Sequence, residues 1–159
     1  MATRITAGTL TVTITESLSM THTTTADNRT HSQTITKTFS AIDNLEKRLL
    51  NLPNTNQVQI AELGATAAAD LATYKRSSVA YIRITNLDDT NGVVVILEDE
   101  GADTAALLVD ADSTLMLTDT QIEAFTNGSA FSAFSDIDKI FLKAVSANTQ
   151  VEVVIATTE

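Results

Sequence analysis

The side chains that carry most enzymatic chemistry are scarce in this sequence, and those present stand at unhelpful spacings. The 159 residues include no cysteine and only two histidines, His22 and His31. Without Cys there are no thiol nucleophiles, no Cys-ligated zinc, no iron–sulfur clusters and no disulfides. The histidines are nine positions apart in a polar stretch, which fits no common zinc pattern, and neither has a Glu in a metalloprotease arrangement. They read as exposed loop residues. No Gly-x-Ser-x-Gly elbow is present, and the five glycines are scattered singly, so neither a phosphate loop nor a dinucleotide fingerprint can be built.

Carboxylates are the remaining candidates. They recur in turns: Asp88 and Asp89, Glu98 to Glu100, Asp110 and Asp112, Asp136 and Asp138. A calcium loop of the EF-hand type needs Gly at its sixth position and a bidentate Glu at its twelfth. Counted from Asn86, Gly92 is seventh and Leu97 twelfth; counted from Asp110, Leu115 is sixth and Gln121 twelfth. Both registers fail. Calcium gathered from separate turns is the sharper reading and solvated turns the plainer one. A carboxylate pair for glycoside hydrolysis would lack the ring platforms of a sugar cleft, since aromatics are 4% of the chain and Trp is absent. The expectation is therefore a protein that is not an enzyme and implies no cofactor and no metal.

The formal charge of −10 is unevenly divided. Residues 1–80 carry seven basic and six acidic side chains, and residues 81–159 three and fourteen. A strongly negative surface repels phosphate backbones, so nucleic acid is not an expected partner. The division suggests a near-neutral part that docks and an acidic part that faces solvent. The longest apolar stretches, such as 93–97, fall far short of the roughly 20 residues of a membrane helix, so no membrane partner is expected. The opening MATRITAGTLTVTITES lacks an apolar signal core, which predicts a chain that stays where it is made.

The elements that would position these residues read as strands. Leu10, Val12 and Ile14 alternate with Thr9, Thr11, Thr13 and Thr15, and Leu18 and Met20 continue the phase, which predicts a half-buried strand. Residues 21–34 have no apolar period and read as an extended loop or arm, with Arg29 and Lys37 beside it as candidate partner contacts. In 39–52, Ser40 and Asp43 resemble a helix start, Ile42, Leu45 and Leu49 share a helical face, and Pro53 supplies a stop; a short helix is expected there. Val58 and Ile60 suggest a strand, and 64–76 a helical turn or loose connection.

Residues 79–85 alternate, with Ile82 and Ile84 opposite Tyr81, Arg83 and Thr85. A turn over 86–92 carries Asn86, Asp88, Asp89, Asn91 and Gly92, and an apolar run follows, so 79–98 is expected to form a β-hairpin with a structural turn. Runs at 105–109, 114–118, 138–145 and 150–157 bring the count to eight or nine strands. The predicted fold is all-β: one jelly-roll-like antiparallel β-sandwich over 1–159, with an N-terminal arm and one short helix.

The segment YIRITNLDDTNGVVVILED (81–99) resembles one found in small virion proteins of tailed bacteriophages. The order of GTLTVTITE (8–16), LEKRLLNLP (45–53), this central segment, the ALLVDADSTLML pair (106–117) and VEVVIA (151–156) is similar too. One departure is the lack of Gly between Asp110 and Ser113. The resemblance implies a non-enzymatic capsid decoration, or cement, protein in the virion, assembled in the host cytoplasm. Its implied partners are the major capsid protein or other virion subunits and copies of itself, with a homotrimer favoured. A receptor- or carbohydrate-binding β-sandwich of the tail or fibre is the alternative.

Overall fold

The structure is a computed structural model that describes residues 8–20, 29–64, 73–118 and 136–158. Ten strands are present among them: β1 (Gly8–Met20), β2 (Arg29–Leu52), β3 (Val58–Gly64), β4 (Thr73–Lys75), β5 (Val79–Asn86), β6 (Val93–Asp99), β7 (Thr104–Val109), β8 (Thr114–Thr118), β9 (Ile137–Ala144) and β10 (Thr149–Thr158). They form two five-stranded sheets. Sheet I has the order β1-β2-β10-β5-β8 and sheet II the order β4-β3-β9-β6-β7. All pairings are antiparallel except β3 with β4. The all-β, sandwich-like expectation holds.

Period-2 side chains explain why the sheets stack. In β5 and β10, Ile82, Ile84, Val151, Val153 and Ile155 face Ile60, Leu63, Val93, Val95, Ile140 and Leu142 of sheet II, and all are almost fully buried. Burying one face of each sheet between them is the largest stabilising term available to such a chain. The pairing is nested: β2 with β10, β3 with β9, β5 with β8, and β6 with β7. Six of the nine successive steps from one described strand to the next therefore cross between the sheets.

That crossing overturns two local expectations. Residues 79–98 are not a hairpin, because β5 lies in sheet I and β6 in sheet II. The 106–117 pair is likewise divided, with β7 in sheet II and β8 in sheet I. In both cases the turn folds a corner between layers, so that each strand buries its apolar side in the shared core. The turn at Asp110–Ser113, which lacks a Gly, is closed by Asp112 in the left-handed region at φ 53°, a conformation that Asp tolerates better than most residues.

The helix expected over 39–52 is strand instead, as part of β2. Its odd and even residues separate in the register with β10, where Leu45, Lys47 and Leu49 stand opposite Ala156, Val154 and Glu152 on the outer side. Leu50 and Leu52 turn to the core side. A ladder of ten residue pairs with the β-branched β10, together with the burial of Leu50 and Leu52 against the core, outweighs a helix propensity worth a few tenths of a kcal/mol per residue. The only helical turn described is the 3₁₀ segment Arg76–Ser78. Of the expected arm, residues 29–34 are also β2 and pair with residues 15–20 of β1; residues 21–28, with His22, lie outside the described residues. His31 sits in β2 opposite Leu18 rather than in a loop. Within 64–76, residues 65–72 also lie outside them.

Candidate functional site

Strand β2 is twice as long as the sheet needs. Its second half, from Ile42, pairs with β10; its first half, Arg29–Ile42, pairs only with β1. The change falls at an irregularity, where Ala41 has φ 59° and the registers slip around Ile42 and between Gly8 and Leu10. Beyond it the two strands form a ribbon that leaves the sandwich at the end where Thr158 meets Ile42.

The ribbon has two chemically distinct faces. One is a hydroxyl ladder: Thr11 opposite Thr38, Thr13 opposite Thr36, Thr15 opposite Thr34, Ser17 opposite Ser32 and Ser19 opposite Thr30. The Thr15 and Thr34 hydroxyls are 3.5 Å apart. The other face carries Leu10 with Phe39, Val12 with Lys37, Ile14 with Ile35, Glu16 with Gln33 and Leu18 with His31. At its base, Leu10, Val12, Phe39 and Ile42 pack on Ala80, Tyr81, Ala156 and Met116, on the side of sheet I away from the core. The Phe39 and Tyr81 rings are 5.6 Å apart and tilted, and the Lys37 ammonium lies 4.8 Å from the Phe39 ring centre. Such contacts add about 0.5–1.5 kcal/mol each to the area they bury. Further out the support ends: Ile14 is 39% exposed and Leu18 53%.

Because the ribbon leans across sheet I, a cleft of about 340 Å³ opens between them. Leu10, Thr11, Val12 and Thr13 form one wall; Leu45, Lys47, Tyr81, Arg83 and Val154 form the other. Two cations share one carboxylate there. Lys47 Nζ is 2.5 Å from Glu152, and Arg83 donates to the same side chain. The hydrogen bond from Lys47, reinforced by the charge of Arg83, holds the Glu152 carboxyl below its ordinary value. Burial pushes the Tyr81 phenol up, so it stays neutral. Leu45 and Leu49 flank Lys47 on this face, 55% and 58% exposed.

The opposite end of the sandwich is built by the 86–92 turn. Asn86 is buried, and its side-chain amide donates to the carbonyls of Asn91 (2.8 Å), Asp110 (2.9 Å) and Val109 (3.4 Å). Its Oδ1 accepts from the Asp88 amide at 3.1 Å, and its own N–H donates to Ser113 at 2.9 Å. Asp88 Oδ1 accepts the backbone N–H groups of Asn91 (2.6 Å) and Thr90 (2.9 Å), which holds its carboxyl below the usual range. Asp89 accepts the Thr90 hydroxyl at 2.9 Å. Gly92 lets β6 start close to β7, since a Cβ there would stand 3.0 Å from Leu108 Cδ1.

Other carboxylates are engaged structurally. Asp99 accepts the N–H groups of Gly101 and Asp103, each at 2.8 Å. Arg76 joins Glu100 (2.8 Å), Asp136 (3.1 Å) and Asp138 (3.8 Å), and Lys139 joins Glu98 at 2.9 Å. Along the open side between β2 and β3, Arg48 donates to the Ile60 carbonyl at 2.6 Å, and the Tyr74 hydroxyl donates to Glu46. Burial, and then that bond to Glu46, raise the Tyr74 phenol well above its usual range. Among the described residues, no three His, Cys, Asp or Glu side chains converge as metal ligands.

Of the two candidate contact residues, Lys37 lies at the ribbon base and Arg29 pairs with Met20 at the far end of the described ribbon. The turn residues Asn86, Asp88, Asp89, Asn91 and Gly92 come together, but at the other end of the sandwich. Sequence reasoning missed Leu45, Lys47 and Leu49 as one face, because the four-residue spacing of Leu45 and Leu49 also suits a helix, which would turn Lys47 away from them. The signal that finds them is the alternation Leu45–Lys47–Leu49 against Glu46–Arg48–Leu50. Comparisons of the chain with family models, with curated proteins and with solved structures find no match.

Proposed function

We propose that this chain is a non-catalytic structural protein of a tailed-bacteriophage virion, a decoration (cement) subunit that binds the major capsid protein between capsomers on the outside of the head. The observation that carries this reading is the ribbon, whose unsupported apolar positions, Ile14, Leu18 and Ile35, stand clear of a complete sandwich core. A two-stranded hairpin is marginal in water on its own, so a chain that maintains one has a use for it in contact. The nested strand order supports a jelly-roll-like reading, an architecture that recurs in viral shell domains. The acidic second half suits an outward surface, and the near-neutral ribbon half suits a docked one. Carbohydrate recognition draws no support from the cleft, where the Phe39 and Tyr81 rings are buried against each other rather than offered as a platform.

The test is reconstitution. Purified chain is mixed with heads of the encoding phage that lack it, and the heads are sedimented and imaged by cryo-EM. Saturable binding at fixed positions among capsomers is expected. Heads that sediment bare, or a virion carrying this chain only on its tail, reject the assignment.

A further inference from the structure

A stretch of β1 on the ribbon and a stretch of β2 on the outer face of sheet I share one pattern, with opposite charges at the centre. Along β1 the exposed ribbon residues run Ile14, Glu16, Leu18; along β2 the outer face of sheet I runs Leu45, Lys47, Leu49. Both are apolar–charged–apolar at the two-residue period of a strand, so laying one on the other sets leucines and isoleucine together and Glu16 against Lys47. The charges around Lys47 favour this. Lys47 and Arg83 share the single carboxylate of Glu152, leaving one positive charge in surplus in a chain whose net charge is −10. The buried Nε of Arg83 has no acceptor among the described residues.

We propose that the ribbon of one copy docks on the outer face of sheet I of a second copy, with Ile14 and Leu18 over Leu45 and Leu49 and Glu16 at Lys47. The occupant is another copy because the complement is written in this chain itself. The net charge supports the same route. Two copies meeting through their acidic second halves would repel, whereas the ribbon and the Lys47–Arg83 face are where opposite charges can meet. The ribbon also gains what it lacks alone, an apolar surface to cover its exposed side. This inference does not rest on the virion reading, and its test needs no capsid, so either can fail alone.

The test is sedimentation equilibrium across a concentration series, with far-UV circular dichroism to show that each variant folds. The wild-type chain is expected to self-associate. E16K and K47E should each weaken association about tenfold or more, and E16K/K47E together should recover most of it, as expected of a charge pair across an interface. L18D, at an exposed position, should weaken association at least as much. Because the chain has no cysteine, a mixture of L18C and L49C chains should oxidise to a disulfide-linked pair containing one of each. The proposal is overturned by a wild-type chain that stays single throughout. It is also overturned by a double charge swap that recovers nothing, or by E16K lowering the melting temperature of a chain that never associates, which would mean the ribbon closes on its own sheet.

Discussion

Within one strand, β2 passes through two environments. From Ile42 to Leu52 it lies in a sheet, with β10 alongside and Leu50 and Leu52 in the core; from Arg29 to Phe39 it has β1 for a neighbour and solvent for most of its side chains. Both halves alternate with the same period and hydrogen-bond over similar lengths. They differ in what lies beneath them. A ladder of backbone hydrogen bonds contributes modestly to net stability, because water competes for the same groups; the buried face supplies the rest. The body is therefore a folded core, and the ribbon is an extension whose outer positions wait for a surface.

Substitutions can sharpen or break that contrast. Leu142→Ala, in the body, should cost about 3 kcal/mol in urea denaturation, whereas Ile14→Ala, in the ribbon, should cost under about 0.5 kcal/mol at concentrations where the chain is single. Equal losses would mean that the ribbon is part of the core. Asn86→Ala should come next, at about 2 kcal/mol, because the carbonyls of Asn91 and Asp110 lose their donor near the interior. Faster hydrogen exchange across 86–92 and 109–113, and not in the ribbon, would locate the effect. Tyr74→Phe should cost about 1 kcal/mol through the bond to Glu46.

The same tyrosine predicts a pH effect. A phenol raised in the folded state stabilises fully below its unfolded value of 10.0 and loses that contribution as pH climbs beyond it. Thermal melts above pH 10 should fall, and Tyr74→Phe should flatten the fall. The smallest effect lies at the acid end. Asp88 titrates low in the folded turn, so its contribution is present above the unfolded value of 3.8 and is lost as pH drops below it. In Asp88→Asn that acid limb of the melting curve should be shallower, with melts near neutrality little changed.

Much of the body was legible in the residues. The Ile82–Ile84 alternation and the β-branched run of β10 announced strands with an apolar face in the core, and they have it; under the ribbon base Tyr81 and Ala156 are buried on the other face as well. The ribbon was half legible: Leu10, Val12 and Ile14 marked β1, but in its partner strand residues 30–34 have no apolar side chain and read as part of an arm. The cleft was not legible, since Leu45 and Leu49, four residues apart, satisfy a helical period as well as a strand period, and a helix would turn Lys47 away from them.

Local sequence determined the class of this protein and the side of each strand that meets the core, because a two-residue period of β-branched side chains imposes a face wherever the strand is placed. Only the tertiary structure decided the partners. Neighbours in sequence, β5 and β6 or β7 and β8, part into different sheets, and a segment able to start a helix becomes the longest strand. The reason is physical: pairing and layering are chosen by the shared burial of many distant residues at once, and that sum exceeds what any one segment prefers alone.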